Sequence, residues 1–328
     1  MPVIEASSYN PSYWLTGGHV QTLYPVLRRP TLSLEYTRER LTLPDGDFLD
    51  LDWSLAPGSQ GQRAGGVALV IHGLEGHSRR KYLQGMVKAL NGAGWDCVAM
   101  NHRGCSGEMN RLARFYHSGE TDDVHSALTY AIGAGQYNRA ALVGFSMGGN
   151  QTLKYLGEDP QRVPVQLQCA VAVSAPCDLA GCARVLEQGF SRVYQAYLMR
   201  SLRQKVREKH EIFPDRIPVD GLSRMTTFRE FDDAYTAPCN GFRDAADYYE
   251  KCSSARVLEG IQIPVLTLSA QDDPFLSEGC YPYDMARGSQ WLHLETPQTG
   301  GHVGFAVNGA AGPYYSEQRA VEFLDRFA

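Results

Sequence analysis

One serine lies in a short motif whose glycines and spacing suit a nucleophile. Residues 144–148 read GFSMG and match the pattern G-x-S-x-G, with Ser146 at the centre. An apolar, strand-like run (140–145) ends at the serine, and a run with helical spacing (148–156) follows it. This strand–turn–helix context is the one in which the motif exposes a reactive hydroxyl. We therefore predict that Ser146 is an acyl-transfer nucleophile. The alternative is a glycine-rich turn with an incidental serine.

A serine hydroxyl becomes an effective nucleophile only when a base accepts its proton. The chain has nine histidines, and His302 has the most suitable surroundings. It lies in the glycine-rich stretch 300–304 (GGHVG), after the last predicted strand and before the final predicted helix. Flanking glycines would let this loop bring the imidazole toward the serine, so we predict His302 as the base.

An acid is needed to orient that histidine and to stabilise its cationic form. Asp272 and Asp273 directly follow a predicted strand at 263–269. We favour Asp273, which lies one residue further into the loop, and expect Asp272 to form a turn before Pro274. The order serine, aspartate, histidine along the chain is the order found in α/β-hydrolases.

The negative oxygen that forms during acyl attack needs backbone N–H donors. We predict that one donor is Met147, which follows the nucleophile. We predict that the other is Leu74, in the loop HGLEG (72–76) after an apolar strand at 67–71. For His72 in the same loop we expect structural hydrogen bonds.

The elements that must position these residues alternate between strands and helices. This rhythm predicts a mostly parallel central sheet flanked by helices. Together with the order of the candidate serine, aspartate and histidine, it points to the α/β-hydrolase fold. The predicted strands are 48–55, half-exposed by its alternation, and then 67–71, 95–100, 140–145, 169–173, 263–269 and 291–294. The predicted helices are 82–90, 121–132, 148–156 and 315–327.

The strand–helix rhythm breaks once, between residues 177 and 262, where the chain is helical, amphipathic and rich in aromatic residues. We predict a helical cap insertion at 177–262, a hydrolase core at 36–176 and 263–328, and an N-terminal arm at 1–35. The aromatic side chains would either line an acyl pocket or form a packing layer.

Composition and charge exclude several classes of function. Lys and Arg total 31 against 36 Asp and Glu, a net charge of −5, and no basic stripe points to a nucleic-acid partner. No segment approaches the roughly 18 apolar residues of a membrane span, so we expect no stable membrane anchor. The basic stretch 200–209 is expected to be a solvated helix face, with weak contact to a lipid surface as the alternative.

The eight cysteines are scattered and form no C-x-x-C pair. This pattern is typical of reduced, mostly buried thiols, so we predict a cytoplasmic protein without a disulfide framework or a zinc site. Arg103 is expected to pair with Asp122 or Asp123 beneath the nucleophile and to hold loops there.

Several blocks, taken in order, resemble a known family. The chain is similar to the YheT-like branch of the α/β-hydrolase superfamily, which is related to the mammalian ABHD1/2/3 proteins. The blocks that carry this resemblance are GHVQTL (18–23), HGLEG (72–76), NHRGCSG (101–107), YHSG (116–119), TDD (121–123), GFSMGGN (144–150) and GGH (300–302).

The resemblance implies hydrolysis of carboxylic esters by a triad of Ser146, Asp273 and His302, without a metal or an organic cofactor. The expected substrate is a small-molecule ester, with an apolar acyl group. Three alternatives stay open: a thioesterase or lipase of the same fold, a catalytically silent ligand-binding scaffold, and a metal-dependent hydrolase. The last would use His72, His77 and His102.

Overall fold

One nine-stranded sheet organises the molecule. A computed structural model describes residues 3–58, 65–307, 309 and 311–328 of the chain. In spatial order the strands run β1-β9-β8-β7-β6-β4-β5-β3-β2. They are β1 (Val3–Ile4), β2 (Thr37–Thr42), β3 (Phe48–Ser54), β4 (Val67–Ile71), β5 (Asp96–Asn101), β6 (Ala140–Phe145), β7 (Leu167–Val173), β8 (Val265–Leu268) and β9 (Leu292–Glu295). All neighbouring pairs are parallel except β2–β3 and β3–β5.

Eleven α-helices accompany the sheet in the described residues. They are α1 (Gly18–Arg28), α2 (Lys81–Gly92), α3 (Thr121–Gly135), α4 (Met147–Glu158), α5 (Leu179–Leu186), α6 (Ser191–Ile212), α7 (Phe228–Phe231), α8 (Ala237–Cys239), α9 (Ala245–Cys252), α10 (Tyr283–Gly288) and α11 (Tyr315–Phe327). A π-helical turn, Asp232–Thr236, joins α7 to α8. None of these helices is long and apolar enough to cross a membrane.

Alternate residues of the central strands pack into two separate apolar cores. Leu69 and Leu142 lie in a cluster with α3 and α4, whereas Val70 and Val143 lie in a cluster with α2 and α11. A parallel strand covered by helices on both faces must be apolar throughout, which explains the continuous apolar runs of β4 and β6. The predicted α/β-hydrolase fold, with a mostly parallel sheet between helical layers, is confirmed.

The prediction of a half-exposed strand at 48–55 was wrong. Every residue of β3 is buried. Its polar residues are covered because the exposed strand β2, which the sequence analysis missed, supplies cations: Arg40 pairs with Asp50 at 2.8 Å and Arg38 with Asp52 at 2.7 Å. Alternation of polar and apolar residues here reflects ion pairing across strands rather than exposure to water.

Residues 177–262 contain α5–α9 and the π-helical turn, and none of them lies in a strand. Most of their buried apolar side chains form a third cluster, which also includes Ala113 and Phe115, whereas Cys182, Leu258 and Ile261 belong to the cluster that contains α3 and α4. This mostly separate packing supports the division into arm (1–35), core (36–176 and 263–328) and cap (177–262), which we keep as a proposal. Residues 1–2, 59–64, 308 and 310 of those ranges lie outside the described residues.

The basic stretch 200–209 is only in part the solvated face that its charge suggested, with Arg200 and Arg207 exposed. Lys205 and Lys209 on α6 are buried. The ammonium of Lys209 donates to the carbonyl oxygens of Leu112 and Arg114, the latter at 3.2 Å. These main-chain acceptors come from a loop almost a hundred residues earlier, and they offset the cost of burying the charge.

Candidate active site

Ser146 lies at the sharp turn between β6 and α4. Its backbone has φ 52° and ψ −120°, a conformation that is strained for a side-chain-bearing residue. A Cβ on Gly144 would overlap the carbonyl oxygen of Gly148, and a Cβ on Gly148 would lie 2.6 Å from the carbonyl oxygen of Ile71. The two glycines of the motif are therefore required by close backbone contacts.

Ser146, His302 and Asp273 form a continuous hydrogen-bonded chain. Ser146 Oγ lies 2.9 Å from His302 Nε2. His302 Nδ1 lies 2.9 Å from Asp273 Oδ2 and 3.1 Å from Oδ1. When the Nδ1–H group donates a hydrogen bond to the carboxylate, Nε2 carries a lone pair that can accept the serine proton. An activated nucleophile requires this arrangement.

The two adjacent aspartates have different partners. The Asp273 side chain has no exposed surface and faces His302, and its Oδ1 also accepts the Phe275 N–H at 2.9 Å. The Phe275 ring stacks on the His302 imidazole, with centroids 3.9 Å apart and planes 9° apart. Asp272 instead accepts the Gly301 N–H at 2.9 Å, so it holds the histidine loop without touching the imidazole.

Helix α1 also holds the histidine loop. Thr22 Oγ1 accepts the His302 N–H at 2.9 Å, and Gln21 Oε1 accepts the Ala306 N–H at 3.0 Å. The sequence analysis quoted this segment only as part of a resemblance and missed its structural role. The available signal was a polar Gln-Thr pair between the apolar residues Val20 and Leu23, but its partners lie about 280 residues away.

The predicted oxyanion donors border the same cavity as Ser146 and His302. Within the described part of the chain, the backbone N–H of Leu74 and that of Met147 have no protein acceptor. Met147 is the first residue of α4, where amides have no partner inside the helix. Both donors are thus available to an oxygen bound near Ser146.

His72 has the structural role expected of it. Its Nδ1 lies 2.7 Å from the Gly73 carbonyl oxygen, and its Nε2 accepts the His102 N–H at 3.2 Å. Burial holds the pKa of His72 well below its usual value and lowers that of His102 to about 4. Over the described ranges, no three His, Cys, Asp or Glu side chains converge as metal ligands. The set His72, His77 and His102 therefore does not form such a group.

Arg103 makes a two-point contact with Asp123, at 2.7 and 2.6 Å, and further ion pairs with Asp45 and Asp47. Asp122 pairs with Arg162 instead. The choice between the two aspartates, which the sequence left open, is thus decided for Asp123.

A cavity of about 710 Å³ opens above Ser146, between the sheet edge and the helices of 177–262. The aromatic side chains of that segment both line the cavity and pack among themselves. Apolar lining residues include Leu23, Leu179, Ala183, Leu186, Leu198, Leu202, Phe228, Phe231 and Phe275. Asp232 is a polar exception; it accepts the Tyr249 hydroxyl at 2.7 Å, and burial raises its pKa to about 6.

Comparison with known proteins points to the same fold. A family profile described as the alpha/beta hydrolase fold matches residues 67–308. The Escherichia coli (strain K12) protein YheT, whose name describes it as an esterase, is 39% identical over 325 residues, 98% of this chain and 94% of its own length. Phospholipase ABHD3 of Mus musculus is 29% identical over 308 residues, 93% of this chain and 74% of that protein.

A solved structure has the same fold. The Pyrococcus furiosus esterase Pf2001 matches with a TM-score of 0.59, covering 90% of this chain and 93% of that one, at 16% identity. At this identity the likeness speaks for the fold alone. The family profile covers well over half of the chain, and YheT is alike over almost its whole length. The chain therefore belongs to the α/β-hydrolase family, in its YheT-related branch, and is a hydrolase.

Proposed function

We propose that the protein is a serine esterase that cleaves carboxylic esters through an acyl-enzyme intermediate. The observation that carries this proposal is the hydrogen-bonded chain from Ser146 Oγ through His302 to Asp273. It lies at the wall of a large, mostly apolar cavity. A catalytically silent scaffold would not need a serine held in a strained turn against a histidine.

The first half of the reaction forms the acyl-enzyme. Ser146 Oγ bonds to the ester carbonyl carbon while its proton passes to His302 Nε2. The carbonyl oxygen becomes negative and accepts hydrogen bonds from the N–H groups of Leu74 and Met147. As the carbon–oxygen ester bond breaks, His302 gives its proton to the departing alcohol, and Asp273 stabilises the imidazolium in the meantime.

The second half releases the acid. Water attacks the acyl carbon and His302 accepts the water proton, so a second tetrahedral oxyanion forms at the same two amides. The Ser146–acyl bond then breaks, and Ser146 Oγ takes the proton back from His302. The enzyme returns to its starting state, and the sequence of steps requires no cofactor or metal.

The cavity lining favours a small-molecule ester with an apolar acyl group. Leucine and phenylalanine side chains form much of its wall, and burial of such surface against an acyl chain is favourable by about 25 cal/mol per Å². Relatives named as an esterase and a phospholipase agree with an ester substrate. A thioesterase or lipase of the same fold would use the same residues, and a panel of esters and thioesters of graded length separates these activities.

Two features bear on where the enzyme acts. Val26, Phe190, Val193 and Tyr197 line the cavity and are largely exposed, which supports weak contact with a lipid surface. All eight cysteines are unpaired thiols, which supports a reducing compartment. We therefore propose a cytoplasmic enzyme whose contact with lipid is transient.

The decisive experiment compares wild type with Ser146→Ala. We expect a fluorophosphonate probe to label only the wild type, and kcat for a p-nitrophenyl ester to fall by about 10⁴- to 10⁶-fold in the variant. Ser223→Ala, which removes an exposed hydroxyl outside the cavity, serves as the matched control and should behave as wild type. Equal labelling of wild type and Ser146→Ala would overturn Ser146 as the nucleophile, and no labelling of either would support the silent scaffold.

A further inference from the structure

A buried polar cluster connects helix α6 to the loop that carries Leu74. The carboxylate of Glu75 accepts hydrogen bonds from the Lys205 ammonium at 2.7 Å and from the Ser201 hydroxyl at 2.5 Å, both on α6. It also accepts the Tyr116 hydroxyl at 2.5 Å. Only 6% of the Glu75 side chain and 10% of the Lys205 side chain are exposed. The link between α6 and the loop is therefore an ion pair largely withdrawn from water.

The backbone of Glu75 is as firmly held as its side chain. Its φ is 54°, in the left-handed region that residues with a side chain rarely adopt. Its N–H donates to Tyr116 Oη at 2.9 Å, and its carbonyl oxygen accepts Arg80 Nη2 at 2.9 Å. Such a conformation persists where the surroundings fix it. These contacts orient the peptide group that directly follows Leu74.

The charge of Lys205 sustains this arrangement. Burial alone would raise the pKa of Glu75, but the Lys205 ammonium and the hydrogen bonds outweigh that effect, and the pKa lies below its usual value. Lys205 also donates to Cys105 Sγ at 3.0 Å and lies 4.7 Å from the centre of the Tyr116 ring. Removing the ammonium would leave a buried carboxylate without a cation, which is a strongly unfavourable state.

We propose that Lys205 is a positioning residue, which acts through Glu75 to hold the Leu74 N–H in the orientation that the oxyanion requires. Helix α6 is then part of the catalytic apparatus as well as a wall of the cavity. This inference rests on the proposed serine-esterase function, because the Leu74 amide matters only if an oxyanion forms near Ser146.

The test compares Lys205→Met with Arg207→Met, which removes an exposed cation two residues away on the same helix. For a p-nitrophenyl ester we expect Lys205→Met to lower kcat by about 10- to 100-fold, because a misdirected oxyanion donor weakens transition-state binding. KM should stay within about threefold, because the apolar residues that line the cavity are unchanged. Arg207→Met should match wild type in both constants.

The double variant Glu75→Gln/Lys205→Met separates positioning from folding. Removal of the lone carboxylate should return the thermal midpoint toward that of wild type, whereas kcat should stay low because the anchor on α6 is still missing. The inference is overturned if Lys205→Met keeps kcat within twofold of wild type, or if kcat recovers together with stability in the double variant. Failure of the esterase proposal itself is distinct: wild type would then show no turnover that depends on Ser146.

Discussion

The edge of the sheet that carries Ser146, Asp273 and His302 is called the catalytic edge below. This edge and the helical segment 177–262 above it hold their residues in different ways. At the edge, Ser146, Asp273 and His302 are fixed by hydrogen bonds of 2.9–3.1 Å and by close backbone contacts. In residues 177–262 the cavity wall is mostly apolar side chains packed on one another. Hydrogen bonds are directional and fail steeply with geometry, whereas apolar packing depends mainly on volume and area.

Under the proposed function, this difference predicts that reaction and selectivity have separate structural sources. Changes at the edge should affect the rate with every ester, and changes in the segment above should affect which ester is preferred. The Glu75–Lys205 ion pair is one point at which the two regions meet. Three further predictions test the separation.

The largest effect is expected at the edge itself. Asp273→Asn should lower kcat by about 10⁴-fold, because the amide no longer stabilises the imidazolium and favours the wrong tautomer of His302. Asp272→Asn, whose amide oxygen can still accept the Gly301 N–H, should lower kcat by less than about tenfold. Steady-state kinetics on one activated ester measures both. A larger loss in Asp272→Asn would reverse the assignment of the acid.

A smaller effect, on the free energy of unfolding, is expected at Arg103. Arg103→Met would leave the buried carboxylates of Asp47 and Asp123 without their cation, so we expect a loss of about 3–5 kcal/mol in the free energy of unfolding. Arg162→Met removes a partner of the exposed Asp122 and should cost about 0–1 kcal/mol. Urea denaturation measures both values. Similar losses in the two variants would contradict the importance of buried polar contacts at Arg103.

The smallest effect is expected in the cavity wall. Ala183→Phe, on α5, should fill part of the cavity and lower kcat/KM for long acyl chains about tenfold relative to short ones. Ala180→Phe, on the same helix but outside the main cavity, controls for overpacking. Competing esters of two chain lengths provide the measurement. An equal loss with both lengths would indicate that this wall acts on the reaction rather than on selectivity.

Local sequence was sufficient for much of the fold and of the candidate site. The runs at 67–71, 140–145 and 315–327 predicted β4, β6 and α11 with the observed bounds. Ser146 and His302 were predicted because each lies in a glycine-rich segment next to a recognisable element. The structure places the two side chains within hydrogen-bond distance.

The sequence analysis missed elements whose residue patterns are typical of neither a helix nor a strand. Strand β2 is exposed over nearly its whole length and rich in arginine and glutamate, and β1 has two residues. Helix α1 begins with glycine and contains Pro25. Strand β1 and helix α1 are completed by partners distant in the chain, whereas β2 pairs with the next strand, β3. No periodicity within any of these segments reports the partner.

By itself the sequence determined the fold class and identified Ser146 with its flanking glycines and the glycine-rich loop of His302 as candidates, because each of these signals depends on residues close together in the chain. Only the tertiary structure decided which aspartate faces His302, that Thr22 holds the histidine loop, and that Lys205 is buried against Glu75. Those pairs lie 29, 280 and 130 residues apart. A contact at such separation depends on the packing of the whole chain, so no local pattern could specify it.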